Sequence, residues 1–157
     1  MEYPGYSVYK ATDISEETII KDTDIVINYL LNKCKVDLNR LIFMGRSLGT
    51  GPACHIATKY PVAGLVLVSP FTSIKDVASE HYGIFGSLLI KDRFNNLSNI
   101  KNVKSPTLII HGKNDSMVPF KHAQLLSGNI HLYRQLHSAV HSCVTRRYDT
   151  FDLQLHT

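Results

Sequence analysis

Three times along this chain a short apolar run ends in a turn of small residues and gives way to a helix-like pattern, and that order constrains the fold more than any other feature. Leu41-Ile42-Phe43-Met44 leads into the glycine-punctuated stretch Gly45 to Gly51. Pro52 to Tyr60 follows, with Ala53, Ile56 and Ala57 at helical spacing before Pro61 stops it. Leu65 to Ser69 is a second run. Thr107-Leu108-Ile109-Ile110-His111 is a third, closed by Gly112 and followed, after Pro119, by a short helical pattern over His122 to Leu126. The first run has no polar alternation, which predicts a central parallel strand covered on both faces. Parallel neighbours in one sheet need a crossover of a dozen or so residues, and Ser47 to Tyr60 supplies it as a right-handed βαβ connection. The fold class is therefore α/β with a parallel sheet.

A helix is expected ahead of the first strand, starting near Asp13 or Ser15 with Asp13 and Glu16 spaced as a capping box, and ending around Lys33 or Cys34. Ile19, Val26, Ile27 and Leu30 form its apolar face, opposite Lys21, Asp22, Asp24 and Asn28, so it covers a sheet on one side. Between Ile74 and Asn102 the pattern loosens into a lid-like insertion, with Gly83 and Gly86 inside an apolar patch. Phe85, Leu88, Leu89 and Ile90 are expected there either as an acyl-binding surface or as core. From Asn129 the composition changes: all eleven lysines and all nine glycines lie earlier, while His131, His137, His141 and His156 crowd the last 29 residues. Residues 1–128 thus read as one domain and 129–157 as an atypical tail, either a variable extension or an altered gene end.

At 157 residues and 44% hydrophobic composition the chain fits one domain with one core. No apolar run approaches the ~20 residues that span a bilayer, and Met1-Glu2-Tyr3-Pro4-Gly5 lacks the features of a secretory signal, so a cytoplasmic location is expected. Cys34, Cys54 and Cys143 fit neither a disulfide framework nor a metal knuckle. The net charge of +4 is spread over single lysines rather than a basic run, so a nucleic-acid partner is not expected.

Gly45-Arg46-Ser47-Leu48-Gly49 matches G-x-S-x-G. By composition the pattern arises in roughly one chain in twenty of this length, so its position decides its meaning. It directly follows a strand and opens a helix, the setting of a nucleophile elbow. A sharp turn there forces the serine into a strained conformation, and the flanking glycines remove the side chains that would collide. The helix N-terminus beneath then offers the Leu48 N–H to a developing oxyanion. His111-Gly112-Lys113-Asn114-Asp115-Ser116-Met117-Val118-Pro119 places an acid beyond a later strand, so Ser47 precedes Asp115 in the hydrolase chain order. An aspartate at such a place is also an ordinary turn residue.

With these stretches, and with Tyr3-Pro4-Gly5-Tyr6 and Ser69-Pro70-Phe71-Thr72-Ser73, the chain resembles the α/β-hydrolase superfamily. Within it the resemblance is to the Bem46-like and ABHD-seventeen-type serine hydrolases, over roughly residues 3–128. It implies Ser47 as nucleophile, Asp115 as acid, the Leu48 N–H as oxyanion donor, no cofactor and no metal. The implied activity is hydrolysis of carboxylic esters or thioesters, S-palmitoyl thioesters of proteins included. The base is expected 25 to 30 residues after the acid by the family's spacing; His141 lies 26 residues on and His137 lies 22 on, so His141 is the candidate and His137 its rival. His137 and His141, four apart, lack the neighbours of a metal site.

The match sets Tyr3 to Tyr6 after the fourth strand of the family's sheet. The chain is then expected to hold the C-terminal half of that sheet, without the first three strands, most of the fourth, or the loop that gives a second oxyanion donor. Leu41 to Met44 would stand at an edge, where oligomerisation is expected. Expected partners are a small ester or an acylated protein, with peripheral membrane association through the substrate. The rival reading is a catalytically inactive remnant that acts in binding.

Overall fold

A computed structural model describes residues 3–7, 9–10 and 15–130, together with the backbone of residues 151–156. Asp13, His137, His141 and Cys143 lie outside the described residues.

The first helix, α1 (Glu16–Asn32), starts on Ser15, whose hydroxyl oxygen accepts the Thr18 N–H at 3.1 Å. Glu16 and Glu17 complement the positive end of its dipole. It stops where Lys35 turns into the left-handed region at φ 55° and the Val36 N–H returns to the Leu30 carbonyl at 3.0 Å. Then come β1 (Ile42–Arg46), α2 (Thr50–Lys59), β2 (Gly64–Val68), α3 (Ile74–Ser87), α4 (Asn96–Asn99), β3 (Thr107–Gly112), α5 (Lys121–Ser127) and β4 (Phe151–His156).

The sheet order is β1-β2-β3-β4. The first three strands are parallel, with Phe43 beside Leu65 and Leu65 beside Thr107. β4 runs antiparallel to β3, from Phe151 opposite Gly112 to His156 opposite Thr107. No element was expected in that tail, although Phe151, Leu153 and Leu155 carry the period-2 alternation of a strand.

The main core gathers Phe43, Leu65, Leu67 and Ile109 from one face of the sheet with Ile27 of α1, Ile56 of α2 and Leu126 of α5. Each such side chain contributes about 1.5–3 kcal/mol by leaving water. The opposite face carries Met44, Val66 and Leu108 in register. Among the described residues β1 is the outermost strand, as the match to the family's sheet leads one to expect, and the reading of a strand covered on both faces is corrected: its Ile42 and Met44 are 65% and 69% exposed. The same open edge corrects the apolar face read for α1: Ile19 and Ile27 are buried, whereas Val26 is exposed beside β1.

A second, smaller core of Ile19, Phe71, Phe94 and Val118, with Tyr3 and Leu48 packed against it, lies where the loops after β1 and β2 meet.

Candidate active site

The turn after β1 carries the candidate nucleophile. Arg46 is extended at φ −124°, Ser47 turns to φ 48°, and a short 3-10 turn over Ser47–Gly49 runs directly into α2. A non-glycine residue in that left-handed region costs about 1–2 kcal/mol, which the surrounding structure must hold in place. The reason for Gly45 is geometric: a Cβ there would lie 2.3 Å from the Gly49 carbonyl oxygen and 2.8 Å from the Thr50 Cα. Any side chain at position 45 would open the turn. Ser47 is exposed, and Leu48 places its N–H in the first turn of the helical run.

A buried polar brace fixes the elbow from below. The Thr50 hydroxyl donates to the Ser47 carbonyl at 2.6 Å. Asn96, fully buried at the start of α4, donates through Nδ2 to Thr50 Oγ1 at 3.3 Å and to the Phe71 carbonyl at 3.0 Å. The turn after β1 is thereby joined to the loop after β2. Sequence reading missed both residues; the asparagine-rich stretch around Asn96 was visible, but nothing local says that one of its members is buried.

Asp115 lies beyond β3 and is partly buried, with its side chain 22% exposed. Its Oδ1 accepts the N–H groups of Met117 and Val118, both at 2.9 Å, so it does shape a turn. Its Oδ2 makes no hydrogen bond among the described residues; His111 Nε2 stands 3.7 Å away. His111 is otherwise engaged: Nε2 donates to the Val118 carbonyl at 2.7 Å, and the ring packs edge-on against Phe120. It holds the Asp115 turn against β3.

Because β1 and β3 are parallel and both flank β2, Ser47 and Asp115 sit at the same, C-terminal edge of the sheet. Their strands are two spacings apart, about 10 Å. His141 and His137, the two candidates for the base, lie outside the described residues.

Beside Ser47 a cavity of about 560 Å³ runs along the β1 edge, walled by Tyr3, Tyr6, Val26, Ile42, Met44 and Leu48. Phe85, Leu88 and Leu89 do not line it; they project outward from α3 and the turn after it. The other titratable groups have plainer roles. Burial pushes the Cys54 thiol up to about 12, which leaves it inert. In α2, partial burial and then Lys59 hold His55 below the usual histidine range. Among the described residues no three His, Cys, Asp or Glu side chains gather as metal ligands, and no helix is long and apolar enough to cross a membrane.

A parallel sheet with a strained serine at the turn from a strand into the next helix is the arrangement of the α/β-hydrolase fold. Two solved structures share it: an esterase domain from a Rhodothermus marinus protein, with a TM-score of 0.55 and 16% identity over 71% of this chain and 52% of that one, and acetyl xylan esterase 1 from Thermoanaerobacterium sp. JW/SL YS485, with a TM-score of 0.56 and 20% identity over 82% and 50%.

Residues 1–91 match the model of the family described as alpha/beta hydrolase of unknown function (DUF1057), and the chain belongs to that family. It is 35% identical over 119 residues to the uncharacterized protein Rv2307c of Mycobacterium tuberculosis, covering 75% of this chain and 42% of that protein. To the human alpha/beta hydrolase domain-containing protein 17C it is 31% identical over 121 residues, covering 77% and 36%. The chain thus spans about two fifths of the length of these curated relatives.

Proposed function

We propose that this chain carries the nucleophile and acid of a serine hydrolase that cleaves carboxylic esters or thioesters through an acyl-enzyme. The observation that carries the reading is Ser47 at φ 48°, exposed at the head of α2. Strain of this kind persists only where surrounding contacts impose it, and the Gly45–Gly49 approach and the Thr50–Asn96 brace do so here.

In the proposed reaction the imidazole of His141 takes the Ser47 hydroxyl proton as Oγ bonds to the substrate carbonyl carbon. The carbonyl oxygen gains the electron pair and is stabilised by the Leu48 N–H. Collapse breaks the carbonyl bond to the leaving alcohol or thiol, which receives the proton from the imidazolium. Water repeats the sequence on the acyl-enzyme and releases the acid. Asp115 accepts the second imidazole N–H through Oδ2 and holds the tautomer. Tyr3 and Leu48, which line the cavity beside Ser47, suit an acyl chain better than a polar group, which supports a long-chain thioester such as an S-palmitoylated protein as substrate.

The test is labelling with a fluorophosphonate. Labelling is expected at Ser47 and is expected to vanish in Ser47→Ala; a label that survives the substitution overturns the assignment. An unlabelled, folded protein supports instead an inactive hydrolase fold used for binding.

A further inference from the structure

A run of exposed apolar side chains lies away from the cavity, at the end of α3. Tyr82, Ile84, Phe85, Leu88 and Leu89 are 73%, 75%, 87%, 64% and 91% exposed, five large side chains within eight residues. Scattered exposed apolar residues are ordinary, but a contiguous cluster marks an interaction surface. The backbone builds it deliberately: Gly83, at φ 70° and ψ 177°, breaks α3 so that the last turn is redirected, and a Cβ placed on Gly83 would meet nothing within 4 Å. The side chains on either side of the kink stand in solvent.

We propose that residues 82–90 dock the protein on an anionic lipid bilayer. Two features favour lipid over a protein groove. The first is charge: Lys91 and Arg93 follow the apolar turn directly, both exposed, with Asp92 between them, and the whole chain carries +4. Lys91 is held only by a loose 3.7 Å pair with exposed Glu17, so it is available to headgroups. Apolar and aromatic residues backed by basic ones are the composition of an element lying in the headgroup–acyl boundary. The second is orientation. His81, one residue before the cluster, contacts the Met117 carbonyl through Nε2 at 2.8 Å, which fastens α3 to the Asp115 turn at the C-terminal edge of the sheet. Met117 is itself 66% exposed on that rim. A bilayer reached by residues 82–90 therefore faces the same edge as Ser47 and Asp115. The acidic groups of α3 itself point elsewhere, since Glu80 pairs with Lys121 and Asp76 accepts from Thr72 at 2.5 Å, and the acid that faces both Lys91 and Arg93 is the exposed Glu17 of α1.

The test is density-gradient flotation of the full chain with vesicles of phosphatidylcholine, with and without phosphatidylserine. Aggregates sink in this assay, so only lipid-bound protein rises. The wild-type chain is expected to float with the serine-containing vesicles and less with phosphatidylcholine alone. Phe85→Asp with Leu89→Asp should weaken binding by at least about tenfold while leaving the melting midpoint unchanged, because both side chains already face solvent. Lys91→Gln with Arg93→Gln should remove the preference for phosphatidylserine. Wild-type protein that stays at the bottom, or a doubly acidic variant that floats as well as wild type, overturns the proposal. So does a lipid-free oligomer that the acidic variant dissolves, since the cluster would then join copies of the chain. Ser47→Ala protein serves equally, because flotation needs no turnover and separates this proposal from the hydrolase reading.

Discussion

The Gly45 backbone passes so close to the Gly49 carbonyl that a β-carbon on the first would lie 2.3 Å from the oxygen of the second. The elbow closes on itself, and the absence of a side chain at Gly45 is what lets the turn carrying Ser47 form. Gly45→Ala should therefore destabilise the fold by about 1–3 kcal/mol and abolish fluorophosphonate labelling of Ser47. Urea denaturation and labelling on the same protein check both outcomes. A variant of unchanged stability would show that the turn relaxes freely.

Strain at Ser47 can be measured separately from chemistry. Ser47→Gly and Ser47→Ala both remove the hydroxyl, yet only glycine accepts φ 48° without penalty. The glycine variant should be more stable than the alanine variant by about 1 kcal/mol, after its greater unfolded-state entropy is set against the relieved strain. Equal midpoints in denaturant would mean that the left-handed conformation costs nothing here.

Thr50→Val keeps the shape of the elbow helix and deletes the hydroxyl that donates to Ser47 and accepts from buried Asn96. Leaving buried polar partners unsatisfied costs about 1–3 kcal/mol each. A comparable loss of unfolding free energy is expected, together with reduced labelling, since the brace positions the nucleophile. Full labelling in a destabilised variant would limit Thr50 to a packing role.

His122 provides the pH dependence. It is buried, its Nδ1 contacts Thr72 Oγ1 at 2.9 Å, its Nε2 has no hydrogen-bond partner among the described residues, and burial pushes it below the usual histidine range against the opposing pull of Glu80 and Asp76. The folded state thus prefers the neutral ring. As pH falls through about 6.5, the unfolded chain takes up a proton that the folded one refuses, so stability is full above that pH and declines below it until the folded pKa is reached. One such proton gives a slope of at most about 1.4 kcal/mol per pH unit. Unfolding free energies between pH 7 and 5 should fall more steeply for the wild type than for His122→Asn; parallel curves would remove His122 as the cause.

The β1 edge makes a further expectation concrete. Ile42 and Met44 are exposed on a strand whose outer edge is unpaired among the described residues, with no lysine or proline to block pairing. The 157-residue chain should self-associate in light scattering. Ile42→Lys with Met44→Lys should shift it toward monomer, and a wild-type monomer with a sharp melt would end this expectation.

Several features could be read from the chain because their signals are local. The strands at residues 42–46, 64–68 and 107–112 announce themselves as apolar runs, and the elbow is written within five residues, since glycine spacing and a serine suffice to specify a turn. The start of α1 is legible to within two residues, since Ser15 caps it, whereas Glu16, read as the box partner of Asp13, accepts the Phe94 N–H instead. What the tertiary structure decided depends on residues far apart in sequence. Thr50 meets Asn96 across 46 positions, and neither has a neighbour that foretells burial. Val26 belongs to the apolar pattern of α1 yet faces the cavity, because the strand beneath it is an edge. His111 looks like a chemical group in a motif and instead spends Nε2 on the Val118 carbonyl. Periodicity tells which side chains should leave water, but which surface they meet is set by the order in which strands pair, and that order is a property of the folded chain alone.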